Sequence, residues 1–476
     1  MRQAVSKNEF SSSAMVTKSK FIVSIVFLLF VFILAEISYA QNFEDKSRQI
    51  DAIAAKYVKG NVPGMAILVI RDGKILHEKG YGSANIETKT PIDSNTIFDT
   101  ASVAKPITAI AVMMLSERGK LDYEDTLDKY FSNAPAYMKK ITVRSLLQHT
   151  SGIFDYYSLA EDSQKIKQQS RKWKSNADVI NFLFGLPKLN FPAGTKWEYS
   201  NSNYVILAAI VEKVSGAAFP QFVRRNIFEP LEMNSSSIGM NKALTDRYAV
   251  GYQADKNGFK KAESFIPIEI YGDGYFYTAL EDLYKLNQAL YNEKLVKNTT
   301  LREAFENGKL TDGAKTTYGF GWGLGQYLGF RYVSHGGDGD GFFAQITRFP
   351  EQKFTVAILC NNQTLPAPFA FANKIAGIYL SDGSAVPKAV NISEKILKNY
   401  VGTYRLYDSA VRIVYEKQEL FLVTSGENRV KLQAASENEF FISGQPSLFV
   451  EFNKNDAGVV RSLTFLDQNG IQFYKQ

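Results

Sequence analysis

Residues Ser102-Val103-Ala104-Lys105-Pro106-Ile107-Thr108-Ala109-Ile110-Ala111-Val112-Met113-Met114-Leu115 decide how this chain is read. Ala109–Leu115 is a run of good helix formers and apolar residues, which predicts a helix. Pro106 fits only its first turn, because deeper in the ring would clash with the carbonyl four residues back. Ser102 and Lys105, three apart, share a helix face, so the amine stands one turn beyond the hydroxyl. A serine hydroxyl is a weak nucleophile until a neighbouring base takes its proton. A lysine desolvated at an apolar helix start loses its proton near neutral pH. The helix N-terminus adds partial positive charge and free N–H groups where an oxyanion would form. This is the only Ser-x-x-Lys in the sequence. A pattern with two fixed positions recurs by chance, so the rest of the chain has to decide.

Two further stretches carry chemistry. Tyr199-Ser200-Asn201 follows the turn Pro192-Ala193-Gly194 and precedes the helical Val205–Val214. A tyrosine and an asparagine two apart in a loop can point a phenol and an amide into one cleft, the first to relay a proton and the second to hold a carbonyl. The same residues also suit a capping turn with a packed aromatic. His335-Gly336-Gly337-Asp338 lies after a strand-like segment, and two glycines allow a backbone or a ligand to approach the strand edge. A histidine that only braces the loop is the competing reading. His149-Thr150-Ser151-Gly152 closes a helix beginning near Val143, with Gly152 as its left-handed stop, and reads as scaffold. His77, on a polar strand face, has no assigned role.

Outward from these stretches, Met65–Ile70 and Lys74–Glu78 flank Asp72-Gly73, a hairpin signal. A mostly helical middle runs from about Val103 to Leu290. Strand patterns return at Tyr318–Leu324, Arg331–Ser334, Phe342–Phe349 and Phe354–Cys360, and a helix pattern at Phe369–Leu380 follows. Sheet at both ends around a helical insert predicts one α/β (α+β) domain, residues 41–385, whose sheet is completed by distant segments. Ser381–Pro387 reads as a linker. Short alternating strands at Val411–Tyr415, Leu420–Thr424, Phe440–Ile442, Leu448–Phe452 and Val459–Phe465 predict a small all-β domain over residues 391–476.

Composition removes whole classes. With 45% hydrophobic and 22% charged residues in 476, the chain is neither disordered, coiled-coil nor collagenous. Three histidines, one cysteine and no His-Glu-x-x-His leave little material for a zinc site. The net charge of +7 is spread without an Arg/Lys stripe, which argues against nucleic acid as a partner. Arg2, Lys7, Lys18 and Lys20 precede the apolar run Phe21–Leu34, and Ser38-Tyr39-Ala40 offers small residues where a signal peptidase reads. Residues 1–40 therefore read as a signal peptide of an exported, periplasmic or extracellular protein. An uncleaved membrane anchor is the alternative, although the run is shorter than the roughly 20 residues that span a bilayer. Cys360, alone in an apolar strand pattern, reads as a buried small hydrophobe.

In order, Ser102-Val103-Ala104-Lys105, Tyr199-Ser200-Asn201 and His335-Gly336-Gly337 resemble the three-part signature of the serine β-lactamase and penicillin-binding-protein superfamily. The Tyr-x-Asn form, with Leu146-Leu147-Gln148-His149-Thr150-Ser151-Gly152, is similar to the class C branch, home also to D-Ala-D-Ala carboxypeptidases, D-aminopeptidases and esterases. The resemblance spans about Gln41–Leu380. It implies a β-lactamase-like antiparallel sheet flanked by helices, and acyl transfer with no metal or organic cofactor. Ser102 would attack a carbonyl, Lys105 and Tyr199 would manage its proton, and Asn201 would orient the substrate amide. The amides of Ser102 and Asp338 would form the oxyanion hole. His335 and Gly336 stand where many members carry Lys-Thr, whose cation and hydroxyl help hold a substrate carboxylate. Penicillin hydrolysis is therefore not the expected main task. Esters, D-amino-acid amides or peptides and lactams all remain open, peptidoglycan-derived peptides among them. Residues 391–476, with Tyr400-Val401-Gly402-Thr403-Tyr404, look like the accessory β-domain of some of these hydrolases. The rival from another class is a non-catalytic binder of cell-wall fragments on the same fold. The absence of a Gly-x-Ser-x-Gly elbow argues strongly against a second rival, an α/β-hydrolase esterase.

Overall fold

The computed structural model describes residues 44–256, 258–263, 270–365, 368–381, 388–406, 409–424, 426, 428–465 and 471–476. The expected leader, residues 1–40, and the linker from residue 382 to 387 lie outside them. A first unit ends at Lys56 and contains a helix at 44–54; the second, Tyr57–Gln476, holds everything that follows.

A six-stranded antiparallel sheet forms the scaffold. It is made of β1 (Met65–Arg71), β2 (Lys74–Tyr81), β3 (Gly323–Tyr327), β4 (Phe330–Gly339), β5 (Phe342–Phe349) and β6 (Phe354–Cys360), in the order β3-β4-β5-β6-β1-β2. The hairpin β1–β2 thus completes a sheet whose other strands lie some 240 residues on, with Met65 opposite Cys360 and Arg71 opposite Phe354. β6 is buried at every position, as is β1 up to Arg71, so both read as continuous apolar runs covered on both faces. Ala66, Leu68 and Ile70 join the core that also holds Ile107, Ala111 and Val205. On the insert side lie α1 (Ala104–Glu117), α2 (Tyr156–Asp162), α3 (Asn201–Ser215) and α4 (Leu280–Ala289), while α5 (Pro368–Leu380) packs on β5 and β6. α1 and α3 pack on each other and are central: Ala104–Leu115 and Ser202–Val211 are buried. Helices apolar nearly all round belong in the middle of a domain.

Three details differ from the sequence reading. Tyr318–Leu324 is not a strand; the strand begins at Gly323. Gly319 donates its amide to Trp322 O at 2.8 Å, and Gly321 turns at φ +77° beneath α1, where a Cβ would come within 2.9 Å of Lys105 O. Alternating glycine and aromatic residues imitate a strand but here make a turn. The helical middle also contains a small sheet of Phe98–Asp99, Phe276–Thr278 and Ser237–Ile238. The C-terminal strands number eight rather than five and close into a barrel. They are β7 (Gly402–Leu406), β8 (Ser409–Glu416), β9 (Glu419–Val423), β10 (Arg429–Ala434), β11 (Glu439–Ile442), β12 (Gln445–Lys454), β13 (Val460–Phe465) and β14 (Ile471–Lys475). β14 closes the barrel by pairing β7, with Arg405 opposite Tyr474. Its interior is packed with side chains, Tyr400 and Phe452 stacking at 4.2 Å. Among the described residues, no single helix is long and apolar enough to cross a membrane.

Candidate active site

Ser102 lies in a tight 3-10 turn, Ala101–Val103, that runs straight into α1. The turn is held from below. Thr100 donates its amide and hydroxyl to Phe276 O at 2.9 and 2.7 Å, and Asp99 Oδ1 accepts the Ala101 amide at 2.8 Å. Ala101 is left-handed at φ +46°, a conformation that a residue with a Cβ adopts only when its surroundings impose it.

Lys105 follows one turn on, fully buried, and its Nζ meets three acceptors: Ser102 Oγ at 3.0 Å, Asn201 Oδ1 at 2.7 Å and Asp273 O at 2.9 Å. Burial pushes its pKa down to about 8, against the opposing pull of the Asp273 and Asp155 carboxylates. A neutral amine keeps two donors for Asn201 and Asp273 and turns its lone pair to the Ser102 hydroxyl.

Tyr199 completes the group. Its phenol hydrogen-bonds Ser102, and its ring lies 4.8 Å from Lys105 Nζ. Burial raises its pKa well above the ordinary tyrosine value, so the phenol keeps its proton at physiological pH. Asn201 opens α3 with both ends of its amide held: Oδ1 by Lys105, and Nδ2, with the backbone amide, by Asp155 Oδ2 at 3.0 and 2.7 Å.

β4 forms the opposite wall with His335, Gly336, Gly337 and Asp338. A Cβ at Gly337 would sit 2.0 Å from Thr100 O and 3.2 Å from Ser102 N, so only glycine lets the strand edge reach the turn that carries Ser102. His335 is buried. Its Nδ1 faces Gly336 O at 2.6 Å and must donate there, so Nε2 accepts the Tyr318 hydroxyl at 2.8 Å. Burial, with the Lys105 charge, depresses its pKa to about 3, and the ring is neutral. Asp338 accepts from Gln363 Nε2 at 2.6 Å, and burial raises its pKa.

All eight residues singled out in the sequence therefore meet around one cleft of about 620 Å3, with Lys105 beneath its floor. Asp99, Asp273, Asp338 and Asp340 line it, and among the described residues no Lys or Arg does. Among the described residues, no group of three His, Cys, Asp or Glu is placed to hold a metal ion.

The sequence reading passed over four contributors. Asp155 and Asp273 bracket the lysine and asparagine, and Tyr156 donates its hydroxyl to Asp273 Oδ2 at 2.8 Å. Tyr318 fixes His335. An aspartate between two glycines, Gly272-Asp273-Gly274, amid aromatic residues was the one available signal. His149, read as scaffold, stands directly behind the phenol with its ring 4.4 Å from that of Tyr199. Its Nδ1 accepts from Ser200 N and Asn203 Nδ2, both at 3.1 Å, and burial holds it neutral.

With that geometry in view, comparisons with known proteins become specific. The family model described as Beta-lactamase matches residues 50–379. Penicillin-binding protein 4* of Bacillus subtilis (strain 168) is 32% identical over 413 residues, covering 81% of this chain and 89% of that protein. Protein flp of Staphylococcus aureus (strain MRSA252) is 26% identical across 67% of this chain and 63% of its own length. Among solved structures, the octameric penicillin-binding protein homologue from Pyrococcus abyssi aligns with TM-score 0.61 at 24% identity, covering 91% of this chain and 99% of that one. FmtA from Staphylococcus aureus aligns with TM-score 0.59 at 20% identity, covering 71% and 86%. These two structural likenesses speak for the fold alone. A match over most of the chain, joined to a relative of this identity and coverage, is decisive: the chain belongs to the Beta-lactamase family of penicillin-binding-protein-like serine hydrolases.

Proposed function

We propose that this chain hydrolyses esters or D-amino-acid amides and peptides through an acyl-enzyme on Ser102. The observation that carries the reading is the buried Lys105 amine 3.0 Å from a hydroxyl that opens onto the cleft. Lys105, in its neutral form, takes the Ser102 proton as Oγ attacks the substrate carbonyl. The amides of Ser102 and Asp338 receive the developing oxyanion, each worth about 3–4 kcal/mol in comparable sites. Tyr199, neutral because it is buried, relays the proton from Lys105 to the leaving group. Asn201 keeps one amide hydrogen on Asp155 and has a second for the substrate carbonyl. Water then releases the acyl group by the reverse proton path.

The lining favours uncharged or amine-bearing substrates. Four aspartates and a neutral His335 leave a substrate carboxylate without a cation at the cleft surface. Penicillins, which carry that carboxylate, are expected to be poorer substrates than small esters or D-amino-acid amides. A fluorophosphonate probe followed by peptide mass spectrometry tests the acyl-enzyme: the added mass belongs on the tryptic peptide containing Ser102, and Ser102→Ala should not react. Labelling that persists in Ser102→Ala, or a wild type that prefers penicillins to every ester and D-peptide, sinks the proposal. Export is part of the same reading, and N-terminal sequencing of envelope material should begin at Gln41. A mature chain that retains Phe21–Leu34 means an anchor instead.

A further inference from the structure

The C-terminal barrel touches the stretch that carries Tyr199 through the side chain of Tyr474. Tyr474 points outward from β14, and its hydroxyl donates to Trp197 O at 2.9 Å while accepting from Trp197 N at 3.1 Å. Both polar groups of one peptide residue are thereby taken by a residue 277 positions away. Leu406, next to the Arg405 that pairs with Tyr474 across β7 and β14, lines the cleft itself.

Trp197 stands two residues before Tyr199, in a stretch with no regular secondary structure. Such a segment has no ladder to fix it and depends on individual contacts. His149 supplies those on one side, its O accepting from Glu198 N at 3.0 Å and its Nδ1 from Ser200 N at 3.1 Å. Tyr474 supplies them at the upstream end. Other barrel contacts lie away from the 197–199 stretch: Arg461 Nε meets Asp312 Oδ2 at 2.8 Å, and Asp456 N donates to Asp312 O at 3.0 Å.

We propose that Tyr474 is a positioning residue for the catalytic phenol, so that the barrel is a working part of the active site. This rests on the acyl-enzyme reading, in which Tyr199 relays the proton. Misplacing a catalytic group by about 1 Å costs on the order of 100-fold in rate. Tyr474→Phe removes both contacts, and is expected to slow Ser102 labelling by the fluorophosphonate, and kcat for an ester, by roughly 10- to 100-fold. KM and the thermal midpoint should stay close to wild type. Arg461→Ala cuts a barrel contact that does not touch the 197–199 stretch, and should label and turn over like wild type. Wild-type rates in Tyr474→Phe overturn the proposal. So does an equal slowing in Arg461→Ala, which makes barrel docking in general the cause. A wild type inert to the probe and to all acyl donors overturns the acyl-enzyme reading itself, before any variant is compared.

Discussion

Asp273→Asn isolates the charge that opposes deprotonation of Lys105. The substitution keeps the main-chain carbonyl that accepts from Nζ at 2.9 Å, and an amide oxygen can still accept the Tyr156 hydroxyl. What it removes is a buried negative charge whose attraction raises the lysine pKa, second only to the desolvation that lowers it. Two unit charges about 5 Å apart, at an effective dielectric near 20, interact by about 3 kcal/mol, or roughly two pKa units. Burial raises the pKa of Asp273 to about 6, so its carboxylate is still charged where Lys105 titrates near 8 and the charge that the substitution removes is present there. The sign follows from the chemistry. The base must be neutral to act, so activity in the wild type rises with pH through about 8. Without the Asp273 charge the ammonium is less stable, Lys105 loses its proton at lower pH, and the acid limb moves down. The Asp155 carboxylate remains and keeps the shift partial. The assay is the rate of fluorophosphonate labelling between pH 5 and pH 10, which reads acylation alone, beside kcat/KM for an ester. An acid limb that stays in place or moves up refutes this account of the lysine.

Gly337→Ala places a methyl group 2.0 Å from Thr100 O, so β4 must withdraw from the nucleophile turn; acylation should fall about 100-fold or more, and labelling at the wild-type rate would falsify the close approach. At position 335, Asn preserves neutrality and Lys does not. His335→Lys should move the ratio of penicillin to ester kcat/KM upward by about 1–3 kcal/mol if a charge-assisted hydrogen bond forms, whereas His335→Asn should leave it unchanged; equal ratios in all three proteins count against charge selection. The depressed pKa of His335 also means that its titration contributes no limb near pH 6.5, so the wild-type and His335→Asn profiles should share their shape in that range.

The sheet was legible because its strands obey local rules. β1 is apolar up to Ile70, β6 is interrupted only by Thr355, and Asp72-Gly73 marks a hairpin, but nothing local states that Met65 faces Cys360; strands at both ends of the chain pointed only to a sheet completed by distant segments. The barrel was half legible. β8, β9, β11, β12 and β13 announce themselves by alternation, whereas β10, Arg429–Ala434, exposes or half-exposes most of its length and carries a weak pattern. In the site, the residues with chemistry at fixed spacing were found. Asp155, Asp273 and Tyr318 were not, because each acts by a contact across about 20 to 170 residues that no spacing encodes. His149 was misweighted for a related reason. A histidine before a glycine turn is usually structural, and this one is structural, but what it braces is the loop that carries Tyr199.

The unfavourable features of the fold are gathered around the same turn. Ala101 and His149 hold left-handed backbones, Lys105 is an amine with no exposure, and His149 Nε2 and Asp273 Oδ1 are buried without a hydrogen-bond partner among the described residues. Each would destabilise an isolated segment, and none persists unless its surroundings fix it. Here the fixing elements are α1 and α3, buried along most of their length, and the sheet against which they pack. A rigid core can therefore hold an amine in a place where water would otherwise keep it protonated. That placement lowers the pKa of Lys105 to about 8, as the proposed role of base requires, and it also ties the proposed chemistry to the packing. Opening space at Tyr204, whose ring lies 5.7 Å from the amine, lets water toward it and should raise its pKa toward the ordinary lysine value, which the pH profile of fluorophosphonate labelling reads.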